Sequence, residues 1–173
     1  MPILKPFLFA AQRRNYKKKP FMKIVLFQPD IAQNFGAVMR ICACFDTPLE
    51  VIEPCGFPLT AKALRRAAMD YGAPETVTRH EGWDAYAAKK EAGRLVLFTT
   101  RASEPLPDFT FRPDDRLIFG RESAGAPDYV HAASDARLRI PISPAARSLN
   151  LATSVSLALY DALRQTGGLP ETT

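Results

Sequence analysis

Residues 24–43, IVLFQPDIAQNFGAVMRICA, hold the pattern that decides the fold. The run Ile24–Gln28, apolar through Phe27, reads as a strand, and then the segment Phe35–Phe45 reads as a helix. The same alternation recurs along the chain. Leu49–Glu53, Glu75–Thr78, Arg94–Thr99, Arg116–Phe119 and Ala136–Ile140 read as further strands, and Ala61–Asp70, Trp83–Glu91 and Leu149–Gln165 as helices. In the closing helix Ala152, Val155, Leu159, Ala162 and Leu163 recur at helical spacing and form a buried stripe. Strands alternating with helices predict an α/β fold, a mostly parallel sheet flanked by helices on both faces. Pro105, Pro107 and Pro113 break the stretch between two strands into an extended loop. With neither repeat nor second domain, residues 22–168 read as a single domain followed by a tail, 169–173.

The charge is unevenly placed. The chain of 173 residues has a formal net charge of +5. Residues 1–23 contain Lys5, Arg13, Arg14, Lys17, Lys18, Lys19 and Lys23 and no acid, which is +7, so residues 24–173 carry −2. Any affinity for nucleic acid in the body must therefore come from local arginines rather than overall charge. The leader, residues 1–21, puts apolar residues before basic ones, the reverse of a secretory signal. It fits a transit-like presequence, an RNA-contacting tail, or translation starting at Met22. No apolar run approaches the ~20 residues of a membrane span, which predicts a protein outside the membrane. Cys42, Cys44 and Cys55 are odd in number and have no metal-ligand spacing with His80 or His131. They read as reduced, buried thiols of a cytoplasmic protein, with no metal site.

Three clusters can carry chemistry. The first is Asn34–Arg40, NFGAVMR, opening the first helix. Asn34 suits an N-cap, Gly36 leaves backbone approachable, and Arg40 lies one turn further on with its fork of donors. A capped helix with a surface arginine accounts for the same residues. The second, Phe119–Pro127, FGRESAGAP, ends a strand where open α/β sheets bind ligands. It brings two glycines and the carboxylate of Glu122, and matches neither phosphate-binding nor dinucleotide fingerprints; an ordinary glycine turn explains it equally well. The third, Ile140–Asn150, IPISPAARSLN, joins the last strand to the last helix. Ser148 and Asn150 can each cap that helix, which accounts for one of them but not for both together with Arg147.

In this order and spacing, the three clusters resemble the signature motifs of the SPOUT class of RNA 2′-O-ribose methyltransferases. The resemblance extends through VIEPCGFPL, LRRAAMDYGA and RSLNLATSVSLALYDALRQ, covers about residues 22–168, and is strongest to the short bacterial branch acting on the tRNA wobble nucleotide. It implies a SPOUT fold with a C-terminal trefoil knot, S-adenosyl-L-methionine as cofactor, a homodimer, and the anticodon stem-loop of tRNA as partner. The reaction implied is methyl transfer to the ribose 2′-hydroxyl of nucleotide 34, a cytidine or modified uridine. Alternatives are another tRNA position, rRNA, or a catalytically silent RNA-binding protein on the same scaffold.

By motif matching, Phe98, Gly120, Ile140, Ser148 and Leu149 would line the cofactor pocket, several of them through backbone groups. Arg40 matches the family arginine that acts on the 2′-hydroxyl. A guanidinium holds its proton tightly, which favours clamping and oxyanion stabilisation over proton abstraction. Asn34, Glu122 and Asn150 match positions that orient this arginine and the ribose, and Arg147, Arg65 and Arg66 are candidates for phosphate contacts. Two positions depart from the motif: Arg121 stands where Pro is usual, a possible further phosphate contact, and Ala126 replaces Leu.

Overall fold

The computed structural model describes residues 22–60, 77–89 and 91–171. The leader 1–21 and the helix expected over Ala61–Asp70, with Arg65 and Arg66, lie outside the described residues. In chain order the elements are β1 (Lys23–Phe27), α1 (Ala32–Cys44), β2 (Leu49–Ile52), β3 (Val77–His80), α2 (Trp83–Ala87), β4 (Leu95–Phe98), β5 (Glu104–Pro105), β6 (Arg116–Phe119), α3 (Asp128–Ala133), β7 (Ala136–Arg139) and α4 (Leu151–Thr166). The strands form one sheet in the order β3-β2-β1-β6-β4-β7-β5, and every neighbouring pair runs parallel.

The apolar runs are continuous because both faces of the sheet are covered. Ile24 and Leu26 of β1 face one layer with α1 and α4, while Val25 and Phe27 face the other with Tyr86 of α2 and Val130 of α3. On the first face Phe35, Val38, Met39 and Cys42 of α1 pack with Leu151, Val155, Ala158, Leu159 and Ala162 of α4. Each set recurs at three- and four-residue steps, so one stripe of each helix is apolar.

Several elements differ from their sequence expectations. The loop expected around Pro105 and Pro107 contains the two-residue strand β5 and a 3-10 turn, Leu106–Asp108. Pro105 is tolerated because β5 forms the sheet's edge, where a missing N–H costs no ladder bond on its outer side. Helix α3 was not anticipated: six residues are too few to display a helical period. Helix α2 ends at Ala87, short of Glu91. Among the thiols, Cys42 is buried and Cys55 half-buried, but Cys44 is exposed, since two residues' separation turns it away from the stripe that buries Cys42.

One buried charge cluster lies at the start of β1. Glu50 of β2, its side chain 4% exposed, accepts a 2.8 Å hydrogen bond from Lys23 Nζ and lies 2.8 Å from His80 Nε2. Lys23 also pairs with Glu91. Burial pulls the lysine's pKa down, but the two carboxylates outweigh it and the net shift is upward.

Candidate active site

The order β1-β6-β4-β7 brings the loops after these four strands side by side along the carboxyl edge of the sheet. This edge is where open parallel sheets bind ligands. Phe98 is the last residue of β4, while Gly120 and Ile140 directly follow β6 and β7, so adjacent strands carry all three. Phe98 pairs in register with Phe119, and their rings stack at 4.9 Å and 9°. The Phe98 side chain therefore belongs to the core, and backbone is what this position offers a ligand. Ile140 and Leu149 are half-buried, whereas Arg147 and Ser148 are exposed. Among the described residues, Ala146 N to Ser143 O is the one backbone hydrogen bond lying within 140–149. Ala145 N also donates to Ser143 Oγ at 3.4 Å, and Pro141 and Pro144 have no N–H to offer.

The loop after β6 is a tight hairpin. Arg121 N donates to Gly125 O at 3.1 Å and Gly125 N to Arg121 O at 2.8 Å. Gly125 has φ of 69°, in the left-handed region that glycine occupies without penalty. A Cβ on Gly120 would stand 2.4 Å from both Gly125 C and Ala126 N, so only glycine lets the hairpin fold back on the strand end. The unusual Ala126 is buried against the second face of the sheet.

This hairpin delivers Glu122 to α1. Asn34 Nδ2 donates to Glu122 Oε1 at 3.0 Å, and Asn150 Nδ2 donates to Asn34 Oδ1 at 2.8 Å. Asn34, Glu122 and Asn150, all singled out in the sequence, thus form one hydrogen-bonded set drawn from the first turn of α1, the hairpin after β6 and the cap of α4. Asn34 does not cap α1: the helix starts at Ala32, Ile31 holds the cap position without a side-chain bond, and the Asn34 amide is occupied by its two distant partners. At α4 the cap is Asn150, whose Oδ1 accepts from Ala152 N at 2.8 Å and Thr153 N at 3.3 Å; Ser148 lies outside the helix. Arg40 sits half-buried on α1, one turn beyond Gly36.

Sequence reasoning missed Asp30. Its backbone N–H donates to Glu122 Oε2 at 2.7 Å. Its Oδ1 accepts from Arg121 Nη2 at 2.7 Å and Nε at 3.1 Å, and its Oδ2 accepts from Ser123 Oγ at 2.6 Å and Ser123 N at 3.0 Å. Arg121, read from sequence as a phosphate contact, is instead paired within the protein. The Arg121 hydrogen bonds, with those from Ser123, hold the Asp30 carboxyl down at about 2. Nearby, burial pushes the Cys55 thiol up to about 12, with Glu53 adding to the shift.

The chain is similar to known proteins in sequence and in fold. The SpoU rRNA Methylase family matches residues 22–160. A tRNA (cytidine(34)-2′-O)-methyltransferase of Beijerinckia indica subsp. indica is 51% identical over 148 residues, covering 84% of this chain and 92% of the relative. The protein of the same name from Escherichia coli is 37% identical, covering 84% and 94%. A solved structure described as "Structural insights into the 2-OH methylation of C/U34 on tRNA" superposes with a TM-score of 0.78 at 39% identity, covering 85% of this chain and 97% of that one. An AdoMet-bound rRNA methyltransferase from Sinorhizobium meliloti shares the fold, with a TM-score of 0.74 at 20% identity over 85% of this chain and 57% of that one. The parallel sheet, the three motif loops and these similarities together place the chain in the SpoU methylase family.

Proposed function

We propose that this chain transfers a methyl group from S-adenosyl-L-methionine to the ribose 2′-hydroxyl of the wobble nucleotide, position 34, of tRNA. The hydrogen-bonded set in which Glu122 and Asn150 meet Asn34, on the helix that bears Arg40, carries this reading, together with membership of the SpoU family.

S-adenosyl-L-methionine supplies an electrophilic methyl on a sulfonium. The residues present suit it: backbone groups of 140–149 would serve its polar groups, and the half-buried apolar Ile140 and Leu149 would take its flat ring. Backbone at Phe98 and Gly120, with Ser148, completes the pocket. A ribose hydroxyl is a poor nucleophile until its developing negative charge is stabilised. Arg40 performs that task with a fixed fork of donors, while Asn34 and Asn150 orient the ribose and Glu122 holds Asn34. Arg147, exposed on the same loop, contacts phosphate, as do Arg65 and Arg66.

The C-terminal part of the chain, through β7 and α4, forms the trefoil knot of the SPOUT fold. The protein works as a homodimer; Leu157 at 46% exposure and Tyr160 at 51% give α4 an uncovered apolar face that supports it. No described helix is long and apolar enough to cross a membrane, and the reaction takes place in the cytoplasm on the anticodon stem-loop without a metal ion.

The test is transfer of label from S-adenosyl-L-methionine to total tRNA, with the methylated ribose mapped by nuclease digestion. Label confined to nucleotide 34, and lost in Arg40→Ala with cofactor affinity retained, is the expected result. A wild-type protein that binds cofactor and labels no tRNA would sink the reading.

A further inference from the structure

We propose that Asp30 is a positioning residue for methyl transfer, its carboxylate held by Arg121 and Ser123 so that the loop between them presents Glu122 to Asn34. The inference rests on the role given above to the Asn34–Glu122–Asn150 set.

The geometry is reciprocal. The backbone of Asp30 donates to the side chain of Glu122, while the side chain of Asp30 accepts from the backbone and hydroxyl of Ser123 and the guanidinium of Arg121. Residues on both sides of Glu122 therefore grip the residue that Glu122 itself grips. Asp30 is also held from behind. Gly56 N donates to Pro29 O at 2.9 Å, and a Cβ on Gly56 would come within 2.7 Å of Asp30 O. The loop after β1 is thus fixed between the loop after β2 and the hairpin after β6.

Charge explains the arginine. Asp30 and Glu122 bring two carboxylates onto adjoining loops, and like charges there drive the loops apart unless a cation intervenes. Arg121 supplies it with two nitrogens on one Asp30 oxygen, leaving the other oxygen to Ser123. The low pKa of Asp30 fits a carboxylate that stays ionised throughout catalysis. With Glu122 immobilised, the Asn34 amide has one orientation: nitrogen toward Glu122, oxygen toward Asn150. A small loss of that order is costly, because a misplacement on the order of 1 Å can lower a rate about a hundredfold.

The experiment measures kcat and KM for tRNA, and cofactor affinity by calorimetry, in Asp30→Asn, Arg121→Ala, Arg121→Lys, Ser123→Ala and Glu122→Ala. Asp30→Asn and Arg121→Ala are expected to lower kcat by about tenfold or more, with KM for tRNA and cofactor affinity little changed. Arg121→Lys restores much of kcat, and the Asp30→Asn/Arg121→Ala double variant is no worse than the poorer single variant, because both break one interaction. If Arg121→Ala instead raises KM, keeps kcat and flattens the salt dependence of tRNA binding, Arg121 is a phosphate contact and the proposal is overturned. Should a variant at 30 or 121 fail to fold, Ser123→Ala, which removes one exposed hydroxyl, decides by whether kcat falls at unchanged KM. Glu122→Ala separates the two readings: full activity there removes the assumed role of the set, whereas loss there with wild-type kcat in the other variants removes only the role of Asp30.

Discussion

Asn150 donates its amide N–H to Asn34 Oδ1 across 116 residues of sequence while its own Oδ1 caps α4. One side chain thus ties the start of the closing helix to the first turn of α1, and its two ends have separable jobs. Asp at position 150 keeps an oxygen for Ala152 N and Thr153 N but loses the donor facing Asn34. Asn150→Asp is therefore expected to hold its melting temperature while kcat for methyl transfer falls. Asn150→Ala loses the cap as well, costing about 1 kcal/mol of stability besides activity. Thermal unfolding beside the tRNA assay checks the pair, and an Asn150→Asp enzyme as active as wild type refutes the division of labour.

Gly120 and Gly125 should respond differently to alanine, although both lie in one hairpin. At Gly120 the new Cβ meets backbone at 2.4 Å, so the hairpin must open and carry Glu122 with it. Gly120→Ala is expected to cost about 1–3 kcal/mol and to abolish methyl transfer. At Gly125 the space is open and the penalty is only the left-handed backbone, about 1 kcal/mol. Denaturant unfolding of both variants tests the ranking.

These contrasts mark how far the sequence could be read. Strands β1, β4 and β6 were legible because burial on both faces leaves an apolar run, and β2 because only Glu50 interrupts one; β7, with Arg137 and Arg139 exposed, shows the alternation of a half-buried strand instead. Asn34, Glu122 and Asn150 were legible as motif positions, and the structure joins them. The start of α1 was misplaced for a local reason: Asn34 looks like a cap, and nothing nearby tells that its amide is taken by Glu122, 88 residues away. Asp30 was invisible for the same reason, with partners 91 to 93 residues distant. Arg121 could be seen only as a departure from the motif; its acid partner emerges once β1 and β6 lie side by side.

The Asp30 pair predicts a particular acid response. Its folded pKa of about 2 lies below the ordinary 3.8, lowered chiefly by the Arg121 hydrogen bonds. A depressed carboxylate pKa stabilises the fold above the unfolded value, and that contribution disappears as pH falls toward the folded value. The stability difference between wild type and Asp30→Asn should therefore be flat from pH 7 to about 4 and shrink between about 4 and 2. Urea unfolding across that range measures it. A difference already declining at pH 6 would show that another group governs the pair.

Removing residues 1–21 tests where RNA affinity resides. Those residues contribute six of the seven cations before residue 24, and the seventh, Lys23, is paired with Glu50 and Glu91 inside the fold. If tRNA is gripped by arginines at the carboxyl edge of the sheet, a chain beginning at Met22 should methylate tRNA at close to the full-length rate. Its salt dependence of binding should also be close to that of the full chain, because that slope counts the phosphates neutralised. In the same assay Arg147→Ala, an exposed cation of the third motif loop, should raise KM and reduce the slope by about one. The opposite pattern, a truncated protein with normal melting temperature and cofactor affinity but a flattened salt slope and no methyl transfer, would move the RNA site to the leader.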